Sequence, residues 1–263
     1  MRVGVRVVQC ADVQVKERGA PGQTTLAKTG DERQAKRGDG AIERFGFFDE
    51  RLQLIGVRLI EVQTEEMLNA AFRLNDANRC YHCKTELFTK LRPLADSLGI
   101  AHLAYGINAD DVGDHRPGHG SAVRRGVRFP LLEAGMGKGE IRAAARRLGL
   151  PNWDKPSFAC LSSRIPHGTE VTPDALRQVG AAEAALKRLG FRQVRVRHHG
   201  EVARLEVEPA ELERALALRE RVVAGVREAG YTFVALDLEG YATGSLNRTW
   251  RPSSGMRTPA ASG

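Results

Sequence analysis

"VTPDALRQVGAAEAALKRLGFRQVRVRHHGEVARLEV", residues 171–207, changes its hydrophobic period once, and that change decides the fold of the second half of the chain. The first part reads as a helix. Thr172 suits the N-cap, Pro173 the first helical position and Asp174 the positive end, and Gly190 closes the segment. From Arg192 the period becomes two. Val194 and Val196 face one way and Arg195 and Arg197 the other. Across a His-Gly turn, Ala203, Leu205 and Val207 face inward, with Arg204 and Glu206 outward. A helix is expected from about Pro209 to Glu228, and "YTFVALDL" then supplies a last strand. The order β–β–α–β describes a small α+β domain.

Upstream, strands alternate with helices. "VRLIEV" (57–62) reads as a strand, "KTELFTKLRPLADSLG" (84–99) as a helix that Pro93 should kink or end, "IAHLAYGIN" (100–108) as a strand, and "KGEIRAAARRLGLP" (138–151) as a helix closed by Gly149 and Pro151. This alternation indicates an α/β layer with a largely parallel sheet, whose ligands sit beyond the carboxyl ends of the strands. "AIERFGFFDERLQLIG" reads as a helix and "VGVRVVQ" (3–9) as a strand. Residues 1–40 are otherwise patternless, and the tail "RPSSGMRTPAASG" reads as disorder. The expected domains are therefore 1–40, a disordered or degenerate segment; 41–168, α/β; 169–250, α+β; and 251–263, a tail.

The 42% apolar content supports a folded core, and a formal charge of +8 favours anionic partners. Four cysteines are too few for a disulfide scaffold at this length. No 18-residue apolar run and no signal-peptide pattern occur, so a soluble cytoplasmic protein is expected, with no membrane partner.

"KPSFACLSSRIPHG" (155–168) places Cys160 between Lys155 and Arg164, where cations would stabilise a thiolate; a buried inert cysteine is the alternative. Ser162, Ser163 and Arg164 can donate to phosphate or carboxylate oxygens. Cys80 and Cys83, in "NRCYHCK", can be a redox pair or half of a metal site, and with Cys160 they would supply three ligands to a [4Fe–4S] cluster. Arg195 and Arg197 on one strand face could grip a phosphate, with Glu206 orienting one of them; an exposed salt bridge is the alternative. Asp110 and Asp111, in "NADDVGDHRPGHG", could hold Mg²⁺, or could be a capping and turn cluster.

"NRCYHCKTELF", "YGINADDVGDHRPG", "FPLLEAGMGKGEIRAAARRLGLPNWDKPSFACLSSRIPHG", "RVRHHGEVARLEV" and "VALDLEGYATGSLN" together resemble the ATP-dependent sacrificial sulfur transferases of the LarE type, over about residues 54–250. The resemblance implies a PP-loop (HUP or Rossmann-like) parallel-sheet ATPase domain, a C-terminal α+β substrate-binding domain, and homo-oligomers, often of six chains. It implies adenylylation by ATP and Mg²⁺ of a carboxylate of pyridinium-3,5-biscarboxylic acid mononucleotide, then sulfur transfer, in nickel-pincer nucleotide synthesis for lactate racemase. Cys160 matches the sulfur donor, and Lys84 a lysine near the nucleotide. Glu183, Arg195, Arg197 and Glu206 match the substrate and phosphate region, to which Ser163 and Arg164 are assigned as donors. Members with all three cysteines resemble a branch in which a [4Fe–4S] cluster carries the transferred sulfide, so both routes stay open.

The chain departs from this family in one respect: it has no "SGGxDS" phosphate loop, whose expected place falls in residues 1–40. That loop would supply a nest of backbone N–H groups for the ATP phosphates. A shifted or truncated reading frame, or a decayed domain, would account for this, and the N-terminus of the α/β domain is expected to be incomplete. The alternatives to a pyridinium-directed enzyme are a PP-loop enzyme thiolating RNA, which no aromatic-interleaved basic surface supports, and a non-catalytic remnant.

Overall fold

The computed structural model describes residues 3–9, 58–112, 117–156 and 159–246. The expectations for 10–57, including the missing phosphate loop, and for the tail from 251 lie outside them. Contacts divide the chain into two compact units, Gly4–Val62, and Gln63–Gly263 with Met1–Val3. Strand β1 (Val3–Gln9) and strand β2 (Arg58–Thr64) fall where strands are expected, and they pair with each other.

In the larger unit the chain starts with two short helical turns, the second being α1 (Ala70–Arg73), capped by the Asn69 side chain accepting from Ala71 N. Helix α2 (Arg79–Ser97) follows, starting five residues before the segment from which it is read in the sequence, so it carries both Cys80 and Cys83. Pro93 does not end it. The last turn is held by Arg92, which donates to the carbonyls of Ile100 and Ala101 beyond the helix end. Helix α3 (Pro117–Val123) lies against α2, with the Thr85 and Ser121 hydroxyls 3.0 Å apart. Helices α4 (Pro130–Glu133) and α5 (Lys138–Arg147) complete this part.

The largely parallel sheet is not built among the described residues. The expected strand at 100–108 makes one parallel bridge, Ala104 to Arg128, with Tyr105 N donating to Arg128 O and Arg128 N to Leu103 O. A strand persists only where its neighbour continues the ladder. Here Pro130 opens α4 two residues after Arg128, and the neighbour is gone.

The C-terminal part follows the period change. Helix α6 (Pro173–Arg188) is capped by Thr172, whose hydroxyl accepts from Ala175 N. Strands β3 (Val194–His199) and β4 (Val202–Val207) form the antiparallel hairpin, with Arg195 opposite Glu206 and Arg197 opposite Arg204. Strand β5 (Phe233–Leu236) joins β4 in parallel, which gives a small mixed sheet in the order β3-β4-β5. Val194, Val196, Ala203, Leu205 and Val207 pack with Ala182, Leu186, Phe191, Val222 and Val226 in one core. The helix expected over 209–228 breaks at Leu218 into α7 (Leu212–Ala217) and α8 (Arg219–Glu228). Arg214 in α7 donates to Leu189 O and Gly190 O at the end of α6, while a Cβ on Gly225 in α8 would lie 2.9 Å from Ala185 Cβ. Eleven residues of straight helix advance about 16 Å, but the two anchor points are about five residues, roughly 8 Å, apart along α6. The break brings both contacts within reach. No helix among the described residues is long and apolar enough to cross a membrane.

Candidate functional site

Residues 159–164 form the centre of the site. Cys160 is extended (φ −63°, ψ 155°) and starts a single 3₁₀ turn, Leu161–Arg164. Its carbonyl accepts from Ser163 N (3.1 Å), Ser163 Oγ (2.7 Å) and Arg164 Nη1 (2.8 Å), while its side chain lies at the surface. The backbone is clamped from inside and the thiol is left outward. Cys160 is therefore not a buried cysteine.

Arg164 is the clamp. It is completely buried and forks onto the Glu183 carboxylate, Nε to Oε1 at 2.7 Å and Nη2 to Oε2 at 3.1 Å. Its Nη1 reaches the carbonyls of Ala159 and Cys160. Glu183, also fully buried, further accepts from Val196 N on β3. Arg164 and Glu183 were expected in the substrate and phosphate region; in the structure they are enclosed and satisfied by each other, and they hold the cysteine loop to α6 and β3. Ser163 is likewise turned onto the loop, its hydroxyl on Cys160 O and its carbonyl accepting from Arg197 Nη1 at 3.0 Å.

The two arginines of β3 are buried on the face opposite the apolar core. Arg197 Nη2 pairs with Glu206 Oε2 at 2.6 Å and also donates to Ser245 Oγ at 2.8 Å. The Arg197–Glu206 pair is therefore enclosed rather than an exposed bridge, and Arg204 adds a second contact to Glu206 at 3.3 Å. Arg197 Nε is buried without a hydrogen-bond acceptor among the described residues. The Arg195 guanidinium lies 5.1 Å from the centre of the Tyr241 ring. Burial pushes its pKa below the usual arginine value, and the positive charge of Arg164, and less so that of Arg197, pushes the same way against Glu183. Such a group of cations favours an incoming anion. Tyr241 also borders a cleft of about 340 Å³ lined by Arg142, Asp154, Arg192, Gln193 and Thr243.

The Cys80–Cys83 helix is tied to the same loop by residues that carry no functional signal in the sequence. Arg79, buried, donates from Nη1 to Ser162 O at 2.8 Å and to Asn75 Oδ1. Asn75 Nδ2 reaches the carbonyls of Ile165, Pro166 and Thr169. Asn75 has φ +55°, a conformation that asparagine tolerates better than most residues. An Asn followed by a run of turn formers is the signal that could have marked it.

The thiols do not form a ligand cage. Cys80 and Cys160 are exposed and Cys83 is half-buried against Met67, Phe72 and Ile165. Among the described residues no group of three or more His, Cys, Asp or Glu side chains is arranged to hold a metal ion. Burial pushes the Cys83 thiol up to about 12, with Lys84 opposing and Glu66, Cys160 and Cys80 adding to the rise. Asp110 and Asp111 both make contacts within the protein. Asp110 Oδ2 caps α5 by accepting from Lys138 N at 2.6 Å, and Asp111 accepts from Asn108 N and pairs with Lys138 Nζ at 3.2 Å. They are the capping cluster. Lys84 Nζ sits 4.6 Å above the Tyr105 ring.

These thiols should differ sharply in reactivity. At pH 8, iodoacetamide followed by peptide mass analysis is expected to alkylate Cys80 and Cys160 and to spare Cys83. The folded-state pKa of Cys83 is raised, so the stability linked to its protonated form is complete below the ordinary value of 9.0 and is lost as pH rises toward about 12. Cys83 alkylation should increase over that same window.

No profile of a known protein family matches the chain. Single relatives do. It is 46% identical over 199 residues, 74% of each chain, to an uncharacterised protein of Synechocystis sp.. It is 34% identical over 205 residues, 77% of this chain and 74% of the relative, to the pyridinium-3,5-bisthiocarboxylic acid mononucleotide synthase of Lactiplantibacillus plantarum. With that identity and coverage, and a clamped loop presenting Cys160, this chain belongs to the LarE-like family of PP-loop enzymes.

Proposed function

We propose that the chain is an ATP-dependent sulfur transferase that converts carboxylates of pyridinium-3,5-biscarboxylic acid mononucleotide to thiocarboxylates, with Cys160 as the sulfur source. The observation that carries this reading is the Cys160 loop: its carbonyl takes three hydrogen bonds, its thiol is outward, and the next residues are bonded to the buried arginine pair's strand. The relative of Lactiplantibacillus plantarum, named for the bisthiocarboxylated mononucleotide, supports the substrate class.

In this reading Arg195 and Arg197 hold the ligand phosphate, and an anion between them gives Arg197 Nε an acceptor. ATP adenylylates a ring carboxylate and releases pyrophosphate. The Cys160 thiolate attacks the acyl carbon, AMP leaves, and a thioester joins ligand to protein. Removal of the Cys160 Cα proton then expels sulfur from Cβ. The ligand departs as a thiocarboxylate and residue 160 remains as dehydroalanine, so one chain supplies one sulfur. Arg164 and Glu183 fix the loop through both steps without touching the ligand. A homo-oligomer belongs to the same reading and is measurable by light scattering.

The absence of an SGGxDS string favours one second reading, a remnant that binds the mononucleotide but does not activate it. Incubation with ATP and the biscarboxylated mononucleotide, followed by mass analysis of the small molecule, separates the two. Replacement of a carboxylate oxygen by sulfur supports the transferase. Unchanged ligand, with no heat on ATP titration, supports the remnant.

A further inference from the structure

Beyond β5 the chain returns across the face of β3 that carries the arginine pair. Gly240 (φ +72°) passes so close to the end of β4 that a Cβ there would lie 2.9 Å from Val207 O, and Tyr241 N donates to that carbonyl at 2.6 Å. This approach places the Tyr241 ring beside Arg195. Four residues on, Ser245 Oγ accepts from Arg197 Nη2 and donates to Glu206 Oε1 at 2.7 Å. Its one proton goes to the carboxylate and its lone pair faces the guanidinium, so the hydroxyl is oriented by both partners. Leu246 is buried and anchors the end of the segment.

We infer that residues 240–246 are a strap that positions the two arginines, with Tyr241 and Ser245 as its positioning residues. The inference rests on the proposed role of Arg195 and Arg197 in holding the phosphate of a pyridinium mononucleotide. Tyr241 supports one guanidinium from its π face. Ser245 shares Glu206 with Arg197 and holds Nη2 on that carboxylate, while Nη1 is committed to Ser163 O. Both terminal nitrogens are then taken up by the protein, and Nε is left without an acceptor among the described residues. Without the hydroxyl, Nη2 keeps one acceptor instead of two, and the guanidinium is freer to turn away from the ligand.

The test uses the full chain and nicotinic acid mononucleotide, a stable pyridinium carboxylate with a 5′-phosphate, titrated by calorimetry. Ser245→Ala is expected to weaken binding about tenfold, the scale of one hydrogen bond to a charged group. Ser245→Thr, which keeps the hydroxyl, should restore it, with both variants melting close to wild type. In the free protein, Ser245→Ala should also speed phenylglyoxal labelling of Arg197 several-fold, read by peptide mass. Wild-type affinity and wild-type labelling in Ser245→Ala would overturn the strap. If wild type binds no mononucleotide, the phosphate-holding reading fails instead, and the labelling rates alone decide whether the strap holds Arg197.

Discussion

Cys160→Ala is expected to abolish thiocarboxylate formation, by at least about a thousandfold, because a nucleophile and sulfur source has no substitute at that position. The same variant should fold and melt as wild type does. Its thiol lies at the surface, and the three hydrogen bonds at residue 160 are made by the carbonyl, which alanine keeps. Mononucleotide binding should persist, since Arg195 and Arg197 are untouched. Loss of turnover with retained binding is a combination that general unfolding does not give. Cys80→Ala offers the contrast: an equally exposed thiol, not held on the clamped loop, whose removal should leave sulfur transfer within about twofold under the Cys160 route.

Glu183→Ala is expected to cost about 3–5 kcal/mol, the scale for removing one partner of an enclosed ion pair. Both members are completely buried. Alanine would leave the Arg164 guanidinium charged, out of water and without its two carboxylate contacts, and would also release Val196 N. The double variant Arg164→Met with Glu183→Leu removes both charges, and should recover much of the stability in urea unfolding. It should not recover sulfur transfer, because the Ala159 carbonyl loses its Arg164 contact and the Cys160 carbonyl keeps only those from Ser163. Stability and activity then separate in a single protein carrying both substitutions. If the double variant regains both, the pair is only core filling.

The hairpin and α6 are legible because their physics is local. Thr172, Pro173 and Asp174 announce a helix start, and a period of two brings Arg195 beside Glu206 and Arg197 beside Arg204 whatever the tertiary context. Burial of the outward face is not local. Arg195, Arg197 and Glu206 read as the solvent side of a sheet, and they are buried because the 159–164 loop and the 240–246 segment cover them, contacts formed across many residues of chain. Glu183 left a usable signal. It lies between Ala182 and Leu186 on the stripe that also holds Ala175 and Val179, so a carboxylate sits where the helix turns its apolar face inward. Such a residue requires a buried cation, but the sequence cannot say that Arg164 supplies it. Asp110 and Asp111 are ambiguous for a similar reason: adjacent acids near a strand end look like a cation site, and the helix that Asp110 caps starts 28 residues later.

The chemistry at residue 160 is tested most directly by mass spectrometry of the peptide containing it, after the chain reacts once with ATP and the biscarboxylated mononucleotide. Dehydroalanine at position 160 is expected, in step with one thiocarboxylate formed per chain. Thiolated product accompanied by an intact Cys160 would contradict the role given to that residue.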